Sequence, residues 1–260
     1  MTEVVVTGGT GVLGRQVVSR LLAAGHSVRV LSRQARPTVP NGVQVVQGDL
    51  VPGKNLDRAV AGVDAIVHCA TTYRKMDIEA THRLIECARK SDSPHLLYIS
   101  IVGVDRIPLA YYKVKLQAES LIEQSRLPWT IVRATQFHDF VLSGLSRLAR
   151  LPVIPLPKGF RFQPIDAGEV ADNLVSLVAA GAANRVPDIG GPQVRTVEDL
   201  ARAYLHLQER SAPLLPVPLP GGAARAFQAG ANLCPEHTVG TVTWEDFLRE
   251  KCRTQPTKQE

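Results

Sequence analysis

A tyrosine and a lysine four positions apart, Tyr111 and Lys115, are the pair of side chains in this sequence best suited to moving a proton. If the segment is helical, both lie on one face of the helix. An ammonium group beside a phenol stabilises the phenolate and so lowers the pKa of the tyrosine. Such a tyrosine can exchange a proton with a carbonyl oxygen while a hydride moves to or from a nicotinamide. Tyr112 lacks this arrangement, because the residue four positions after it is Leu116.

Glycines at positions 8, 11 and 14 lie between a β-branched run that predicts a strand and an apolar pattern that predicts a helix. Gly8 allows a tight turn, Gly11 lets backbone N–H groups approach a pyrophosphate, and Gly14 lets the helix pack closely on the strand. The amino end of the helix then faces the phosphates. A glycine-rich turn by itself is usually only a turn, but this spacing between a strand and a helix indicates a dinucleotide site. The residues expected to hold the dinucleotide at this turn are Thr7, Gly8, Thr10, Gly11, Val12, Leu13 and Gly14.

The end of the second predicted strand carries no acidic residue. Sites specific for NAD usually place an Asp or Glu there, which binds the ribose 2′-hydroxyl. Here Ser32 and Arg33 can bind a 2′-phosphate instead, the arginine through a bidentate charge-assisted contact, and Arg36 can add to it. The alternative is an ordinary exposed arginine on a loop. We therefore predict NADP as the cofactor, with NAD as the less favoured alternative.

The elements that must position these residues alternate between strand and helix through the first half of the chain. Strands are predicted at 4–6, 27–31, 43–46, 64–68, 96–100 and 128–133, with helices between them that include 77–90 and 113–124. Repeated strand–helix units force right-handed crossovers and a parallel sheet covered on both faces. Ligands then bind outside the carboxyl ends of the strands, which is where the glycine turn and the tyrosine both fall.

After residue 135 the alternation loosens. A helix is predicted at 137–149 and extended chain at 152–157, Asp166 is predicted to cap a late helix, and a last short helix is predicted at 244–248 with a polar tail from Arg253. The fold class is therefore α/β, a doubly wound parallel sheet of the Rossmann kind with a small C-terminal substrate-binding region. We divide the chain into a dinucleotide-binding core at 1–135 and a substrate-binding or lid region at 136–260 that is interleaved with the last core elements.

Composition excludes several classes of function. The 260 residues are 45% hydrophobic and 21% charged, as in ordinary globular proteins. The net charge of +6 is spread over scattered Lys and Arg residues, which indicates a solvated surface rather than a nucleic-acid interface. The four cysteines lack metal-ligand spacing, and no apolar stretch reaches membrane-spanning length. Because the chain begins directly with a strand and shows no signal peptide, we predict a cytoplasmic protein without a metal whose partner is a small molecule; monomer and homodimer both stay open.

The string Thr-Gly-Gly-Thr-Gly-x-x-Gly at 7–14 resembles the extended and atypical short-chain dehydrogenase/reductases, and most of all their NmrA-like members. These include NADPH-dependent quinone reductases and cofactor-sensing proteins. The likeness runs through motifs in the family's order from residue 1 to about 175. It implies that the Asp of Gly48-Asp49-Leu50 meets the adenine, that 68–71 lies along the cofactor, and that Lys115 also holds the nicotinamide ribose. The further cofactor contacts that the resemblance implies are Asp49, Leu50, Cys69, Ala70, Thr71 and Thr135.

The sequence departs from this family at the end of the fifth strand. Members usually carry two small hydroxyl residues there, and the second polarises the substrate carbonyl; here Ser100 matches the first and Ile101 occupies the second. Isoleucine cannot donate a hydrogen bond. Either Ser100 shifts into the role, or Thr135 or His138 supplies the donor, or Tyr111 holds the oxygen alone. Losing one such donor commonly costs about 2.7–4 kcal/mol of transition-state stabilisation. Ser100 joins Tyr111 and Lys115 as the predicted catalytic set.

The segment just after the sixth strand supplies the predicted substrate wall, formed by Phe137, His138 and Phe140. Aromatic rings beside a histidine suit a flat, apolar carbonyl compound or quinone. A histidine in an apolar stretch is more often a satisfied core residue, and that alternative stands beside the functional one.

Two functions fit these residues. The first is an NADPH-dependent oxidoreductase that reduces a ketone, a quinone or a similar small apolar compound, with Tyr111 and Lys115 as its proton-donor pair. The second is a non-catalytic NADP-binding sensor of the NmrA-like kind, which Ile101 favours. An epimerase acting by transient oxidation is disfavoured by the small C-terminal region. A nucleic-acid binder is disfavoured by diffuse charge and few aromatic residues.

Overall fold

The fold is built on a central parallel sheet, and the predicted sites lie at the carboxyl ends of its strands. The computed structural model describes residues 1–72 and 75–254. Within these residues seven strands pair in the order β3-β2-β1-β4-β5-β6-β9, and every pairing among them is parallel. The strands along the chain are β1 (Glu3–Thr7), β2 (Ser27–Ser32), β3 (Gln44–Gln47), β4 (Ala65–His68), β5 (His95–Ile101), β6 (Trp129–Ala134), β7 (Ile154–Pro157), β8 (Arg161–Phe162), β9 (Asn184–Arg185), β10 (Arg195–Thr196) and β11 (Leu214–Val217).

Helices cover both faces of this sheet, as the alternating pattern predicts. One face packs against α1 and α6, and the other packs against α2, α3 and α4. The helices are α1 (Val12–Ala23), α2 (Leu56–Val60), α3 (Met76–Lys90), α4 (Ala110–Glu123), α5 (His138–Leu148), α6 (Ala167–Ala180), α7 (Val197–Leu207), α8 (Gly222–Gln228) and α9 (Trp244–Thr254). The doubly wound α/β fold predicted from the sequence is therefore confirmed.

The hydrophobic runs of the sequence become strands that are buried on both faces. Val4, Val5 and Val6 have no exposed surface. Val4 and Val6 join the core under α1, whereas Val5 and Ile66 join the core under the opposite helices. Strand order reverses between β1 and β4, so a crevice forms beyond the carboxyl ends of these neighbouring strands. The glycine turn and the segment after β4 meet in this crevice.

The second half of the chain contributes to two cores. Helix α6 packs along α1 and β9 adds to the edge of the main sheet, and the predicted cap is confirmed because the Asp166 carboxylate accepts hydrogen bonds from the backbone N–H groups of Gly168 and Glu169. Helices α5, α7 and α9 enclose a separate core around Trp244 and Phe247.

Four helices differ from the sequence prediction. Helices α2 and α8 were not predicted. Helix α4 begins at Ala110, before the predicted start at 113, and α9 extends to Thr254, beyond the predicted end at residue 248. Of the polar tail predicted from Arg253, residues 255–260 lie outside the described part of the chain. In the described segments, no helix combines the length and the apolar character needed to cross a membrane.

Candidate functional site

The glycine turn after β1 has the geometry that a cofactor cradle requires. Gly8 has a positive φ of 70°, and a Cβ there would lie 2.7 Å from the Ala70 Cα. A Cβ on Gly14 would lie 2.1 Å from the Gly8 carbonyl oxygen, so this glycine allows α1 to approach the turn. A Cβ on Gly11 would meet only the Gly8 oxygen, at 3.3 Å. Gly11 therefore borders open space, whereas the other two glycines border the protein's own backbone.

The first turn of α1 is arranged to receive an anion. Gly11 is the N-cap residue, and no side chain caps the helix by a hydrogen bond. The first intrahelical bond runs from the Arg15 N–H to the Gly11 carbonyl, so the preceding N–H groups of α1 lack a helical acceptor. No acidic residue occupies this turn. Thr10 and Val12 are exposed beside it, while Leu13 is buried in the core. These features fit a pyrophosphate held by backbone N–H groups.

The loop after β2 presents two arginines to solvent. Arg33 and Arg36 are exposed, and among the described residues neither forms an ion pair. The Ser32 hydroxyl accepts a hydrogen bond from the Gln34 N–H at 3.2 Å and keeps its own hydrogen available. Ser32, Arg33 and Arg36 therefore keep hydrogen-bond donors that an anionic group could use.

The predicted adenine contacts follow β3. Asp49 is half-buried, and its carboxylate accepts a hydrogen bond from the Val51 N–H at 3.0 Å. Leu50 is half-buried and packs against the core under α2 and α3. Asp49 therefore orders its own turn and keeps carboxylate lone pairs that a ligand can use.

The segment after β4 joins the glycine turn to the candidate catalytic residues. The Cys69 N–H donates to the Thr7 carbonyl, and burial raises the pKa of the Cys69 thiol to about 12, so this sulfur stays protonated. Ala70 lies against Gly8. The next residue, Thr71, has its Oγ1 3.2 Å from the Tyr111 hydroxyl oxygen. A continuous line of contacts thus runs from the phosphate turn to the predicted proton donor.

Lys115, the predicted partner of Tyr111, is buried and only 5% exposed. Its Nζ donates to the Ile99 carbonyl at 2.8 Å and lies 4.4 Å from the centre of the Tyr98 ring. Burial lowers the pKa of Lys115 to about 8, and the nearby Asp77 carboxylate opposes that effect. The ammonium group is thus the predominant form at neutral pH but is close to its titration range.

Of the two adjacent tyrosines, only Tyr111 reaches the segment after β4. The Tyr112 side chain is buried, and its hydroxyl accepts a hydrogen bond from Gln136 Nε2 at 3.4 Å. Tyr111 is half-buried. The two phenols are therefore separated, with the Tyr111 hydroxyl next to Thr71 and the Tyr112 hydroxyl in the interior.

The end of β5 has an unpartnered hydroxyl. Ser100 is 4% exposed, and its Oγ has no hydrogen-bond partner in the described part of the chain. Ile101 is half-buried and packs against the apolar cluster of Val104, Ile107 and Tyr112. The side chain that stands in the second hydroxyl position is thus used for packing.

Most of the side chains after β6 that were predicted to contact the substrate make hydrogen bonds or packing contacts within the protein. The Thr135 hydroxyl donates to the Gln163 carbonyl at 2.5 Å. His138 is 1% exposed, stacks on Phe247 at 4.9 Å between ring centres, and donates through Nε2 to the Val242 carbonyl. Burial lowers the pKa of this imidazole. His138 therefore has no open face for a substrate, and the core alternative for this residue fits the structure better.

The two predicted phenylalanines differ in exposure. Phe137 packs against the core under α1 and α6, whereas Phe140 is 62% exposed. The structure does not bring these rings and His138 together as one wall.

Tyr111 packs against an apolar cluster that was not predicted from the sequence. The cluster around Tyr112 also contacts Tyr111 and the apolar residues of α8 and the turn after it: Ala223, Ala226, Phe227 and Ala231. A Cβ on Gly103, before α4, would lie 2.2 Å from the Ala231 oxygen, so this turn sits directly on the loop that leads to α4. The contact spans more than a hundred residues of sequence and left no local pattern.

His68 is a second residue that sequence reasoning used only as part of a motif. Its Nδ1 lies 2.6 Å from Thr7 Oγ1 and its Nε2 lies 3.2 Å from Thr81 Oγ1, so it ties β1 and β4 to α3. Burial lowers the pKa of His68 to about 3, which keeps the ring neutral. Its ring centre is 5.4 Å from that of Tyr98. These buried contacts hold the ends of β1 and β4 in place beneath the glycine turn and the segment after β4.

Comparison with known proteins assigns this geometry to a family. The sequence model of the NAD(P)H-binding family matches residues 8–179. A (4-alkanoyl-5-oxo-2,5-dihydrofuran-3-yl)methyl phosphate reductase from Streptomyces griseus is 31% identical over 204 residues, which cover 75% of this chain and 70% of that protein. A photosystem II assembly factor, Ycf39 from Trieres chinensis, is 26% identical over 233 residues, covering 84% of this chain and 72% of that protein.

Solved structures share the fold over nearly the whole chain. An NADPH-dependent quinone oxidoreductase from Escherichia coli, solved with NADPH, superposes with a TM-score of 0.81 at 16% identity and covers 95% of this chain and 99% of that one. A nucleoside-diphosphate-sugar epimerase from Staphylococcus aureus gives a TM-score of 0.79 at 18% identity, with 95% and 99% coverage. These likenesses support the Rossmann fold, and the match over 8–179 confirms the resemblance noted in the sequence: the chain belongs to the NAD(P)H-binding family.

Proposed function

We propose that this protein is an NADPH-dependent oxidoreductase that reduces a ketone, a quinone or a similar small apolar compound. The observation that carries the proposal is the line of contacts from the glycine turn through Ala70 and Thr71 to the Tyr111 hydroxyl. It brings the one half-buried phenol of α4 next to the segment that the family uses for its cofactor. The 31% identical reductase supports a reductive reaction.

The residues that would hold the cofactor follow from the site. Backbone N–H groups at the start of α1 would bind the pyrophosphate, and Ser32, Arg33 and Arg36 would bind a 2′-phosphate. Bound NADPH supplies the hydride for the carbonyl carbon. Tyr111 donates its phenolic proton to the carbonyl oxygen, and the Lys115 ammonium stabilises the phenolate that remains. Solvent then returns a proton to Tyr111.

The side chains near Tyr111 support an apolar substrate. Tyr111 packs against the same apolar cluster as Ile101 and the α8 residues Ala223, Ala226 and Phe227. A flat carbonyl compound or quinone would bury its ring there at little desolvation cost. The absence of a second hydroxyl at position 101 leaves Tyr111 as the main donor to the substrate oxygen.

The test is NADPH consumption with a panel of quinones and ketones, measured for the wild type and for Tyr111→Phe. Turnover is expected to fall by on the order of 10²–10⁴ when the phenolic hydroxyl is removed, the usual worth of a positioned acid. Tyr112→Phe is the matched control, because it removes a buried hydroxyl from the next residue and is expected to change turnover by less than about threefold. Full activity of Tyr111→Phe on a substrate that the wild type reduces would remove this assignment.

The second candidate is a non-catalytic NADP-binding protein that acts through a partner. Two observations favour it: Ile101 replaces a hydroxyl residue, and the neighbouring Ser100 hydroxyl is buried at 4% exposure. The 26% identical relative is an assembly factor. Tight NADPH binding without consumption across the panel would favour this function. Ile101→Ser separates the two, since the added hydroxyl can raise the rate of a weak reductase but leaves a sensor inactive.

A further inference from the structure

The carboxylate of Asp77 lies at the end of a hydrogen-bond chain that begins at Tyr111. The Tyr111 hydroxyl oxygen is 3.2 Å from Thr71 Oγ1, and Thr71 Oγ1 donates to Asp77 Oδ2 at 2.6 Å. Asp77 is 6% exposed and lies in the first turn of α3. Three side chains that come from the segment after β4, from α3 and from α4 are thus joined in one line.

The direction of each bond follows from the hydrogens available. A threonine hydroxyl carries a single hydrogen, and an ionised carboxylate can only accept. Because Thr71 gives its hydrogen to Asp77, the Tyr111 hydroxyl is the donor in the Tyr111–Thr71 contact. The phenol is therefore protonated and held in position, and its O–H turns from Thr71 to the substrate oxygen before the proton is transferred.

The Asp77 carboxylate accepts further hydrogen bonds besides the one from Thr71. Its Oδ1 accepts from the Thr72 N–H at 2.7 Å and from the Thr72 hydroxyl at 2.5 Å. When Tyr111 has lost its proton, the Thr71 hydroxyl can rotate and donate to the phenolate, while Asp77 keeps both bonds from Thr72. One hydroxyl can thus serve the tyrosine both before and after the proton leaves.

We propose that Thr71 and Asp77 are positioning residues for Tyr111, with Asp77 orienting the Thr71 hydroxyl and Thr71 orienting the phenol. This inference rests on the proposed reductase function and adds to it two residues beyond the tyrosine and lysine. Asp77 acts through Thr71 and does not touch the substrate. Within residues 1–72 and 75–254, the other charged or titratable groups around Tyr111 and Lys115 are Glu119 on α4, Tyr98 on β5, His68 at the end of β4 and Cys69 directly after it.

The experiment compares Thr71→Val, which keeps the shape of the side chain without its hydroxyl, with Thr71→Ser, which keeps the hydroxyl. We expect kcat for a quinone to fall about tenfold in Thr71→Val, the effect of one hydrogen bond in a charge-assisted chain, while the Kd for NADPH changes less than threefold. Thr71→Ser is expected to recover most of that rate. A purely structural role in the cofactor segment would instead raise Kd and leave kcat near the wild-type value.

Asp77 is tested by a double-mutant cycle. The cycle is measured well below the pKa of Lys115, so that loss of the Asp77 carboxylate does not change the charge of that lysine. If Asp77 acts on Tyr111 through Thr71, then Asp77→Ala combined with Thr71→Val loses no more rate than the more impaired single variant, because both remove the same interaction. Independent, multiplicative losses would overturn the relay from Asp77. Thr72→Val removes a hydroxyl from the same carboxylate but not from the chain to Tyr111, and its loss of kcat is expected to be smaller than that of Thr71→Val.

The environment of the Tyr111 phenol can also be measured by NMR without turnover, which tests this proposal independently of the proposed function. In protein labelled with ¹³Cζ-tyrosine, the Tyr111 signal is identified by its loss in Tyr111→Phe. It is expected to move in Thr71→Val and to stay near its wild-type position in Thr71→Ser and Thr72→Val. An unmoved signal in Thr71→Val overturns the proposal even if the enzyme reduces quinones. A moved signal in a protein that reduces nothing supports the contact while the reductase function fails.

Discussion

Replacing Gly11 with valine is expected to weaken cofactor binding strongly without harming the fold. Gly11 has φ −76° and ψ 177°, extended backbone that any residue adopts. Its Cβ would meet only the Gly8 oxygen, at 3.3 Å. Loss of a glycine N-cap costs a few tenths of a kcal/mol or more, and the lower entropy of the unfolded chain returns about 0.4–1 kcal/mol. The free energy of unfolding is therefore expected to stay within about 1 kcal/mol of the wild-type value.

The loss of affinity follows from what the new side chain displaces. The valine methyl groups would project into the space beside the amino end of α1, where the pyrophosphate must approach. Losing one charge-assisted hydrogen bond to the phosphates costs about 1.5–3 kcal/mol. The Kd for NADPH should then rise by roughly 10- to 150-fold.

Gly14→Ala is the matched control, because its Cβ would lie 2.1 Å from the Gly8 oxygen. Backbone must move to relieve that contact, at about 1–3 kcal/mol or more. For a chain of this size the melting temperature should fall by about 2–12 °C. Melting followed by circular dichroism without ligand, and NADPH titration followed by fluorescence, separate the two variants. Normal melting of Gly11→Val together with an NADPH Kd within threefold of the wild-type value would show that the pyrophosphate does not approach Gly11.

Two further predictions concern charge. Arg33→Ala should weaken NADPH binding on the order of tenfold and leave NADH binding unchanged, because only NADPH carries the 2′-phosphate that the guanidinium would contact; equal affinity of the wild type for both cofactors would contradict the NADP assignment. Reduction should slow above about pH 8, because burial lowers the pKa of Lys115 to about 8 and the ammonium that stabilises the phenolate is lost as pH rises through that value. Profiles of kcat/KM against pH test this. Lys115→Arg should abolish the decline at high pH while lowering the rate. An unchanged decline in Lys115→Arg would assign the titration to another group.

The core of the fold could be read from local patterns. The runs Val4–Val6 and Leu96–Ser100 are strongly apolar, and strands buried on both faces require such runs. The N-cap at Asp166 could also be predicted, because Asp is a preferred residue directly before a helix, where its carboxylate accepts hydrogen bonds from the first N–H groups. Helix α8 was not, because a short Gly- and Ala-rich segment after several prolines has no distinctive period.

The candidate site was predictable where its residues are close in sequence or part of a motif. Tyr111 and Lys115 lie on one helix, and the glycines lie in one turn. Asp77 could not be identified as a partner of Tyr111, because the two are 34 positions apart in the chain and only the sheet topology brings α3 and α4 together. For His138 the sequence left a core role and a substrate role open, because its partners Trp244 and Phe247 come from the last helix and are distant in the chain.

A crystal structure of the protein with bound NADPH tests the central claim most directly. The distance to measure is that from the nicotinamide C4 to the nearest side-chain oxygen or nitrogen. We predict the pyrophosphate at the amino end of α1 beside Gly11, with the Tyr111 hydroxyl as the group nearest C4 on the side open to substrate. A nicotinamide whose C4 faces no part of Tyr111, or a cofactor bound away from the glycine turn, would contradict the account.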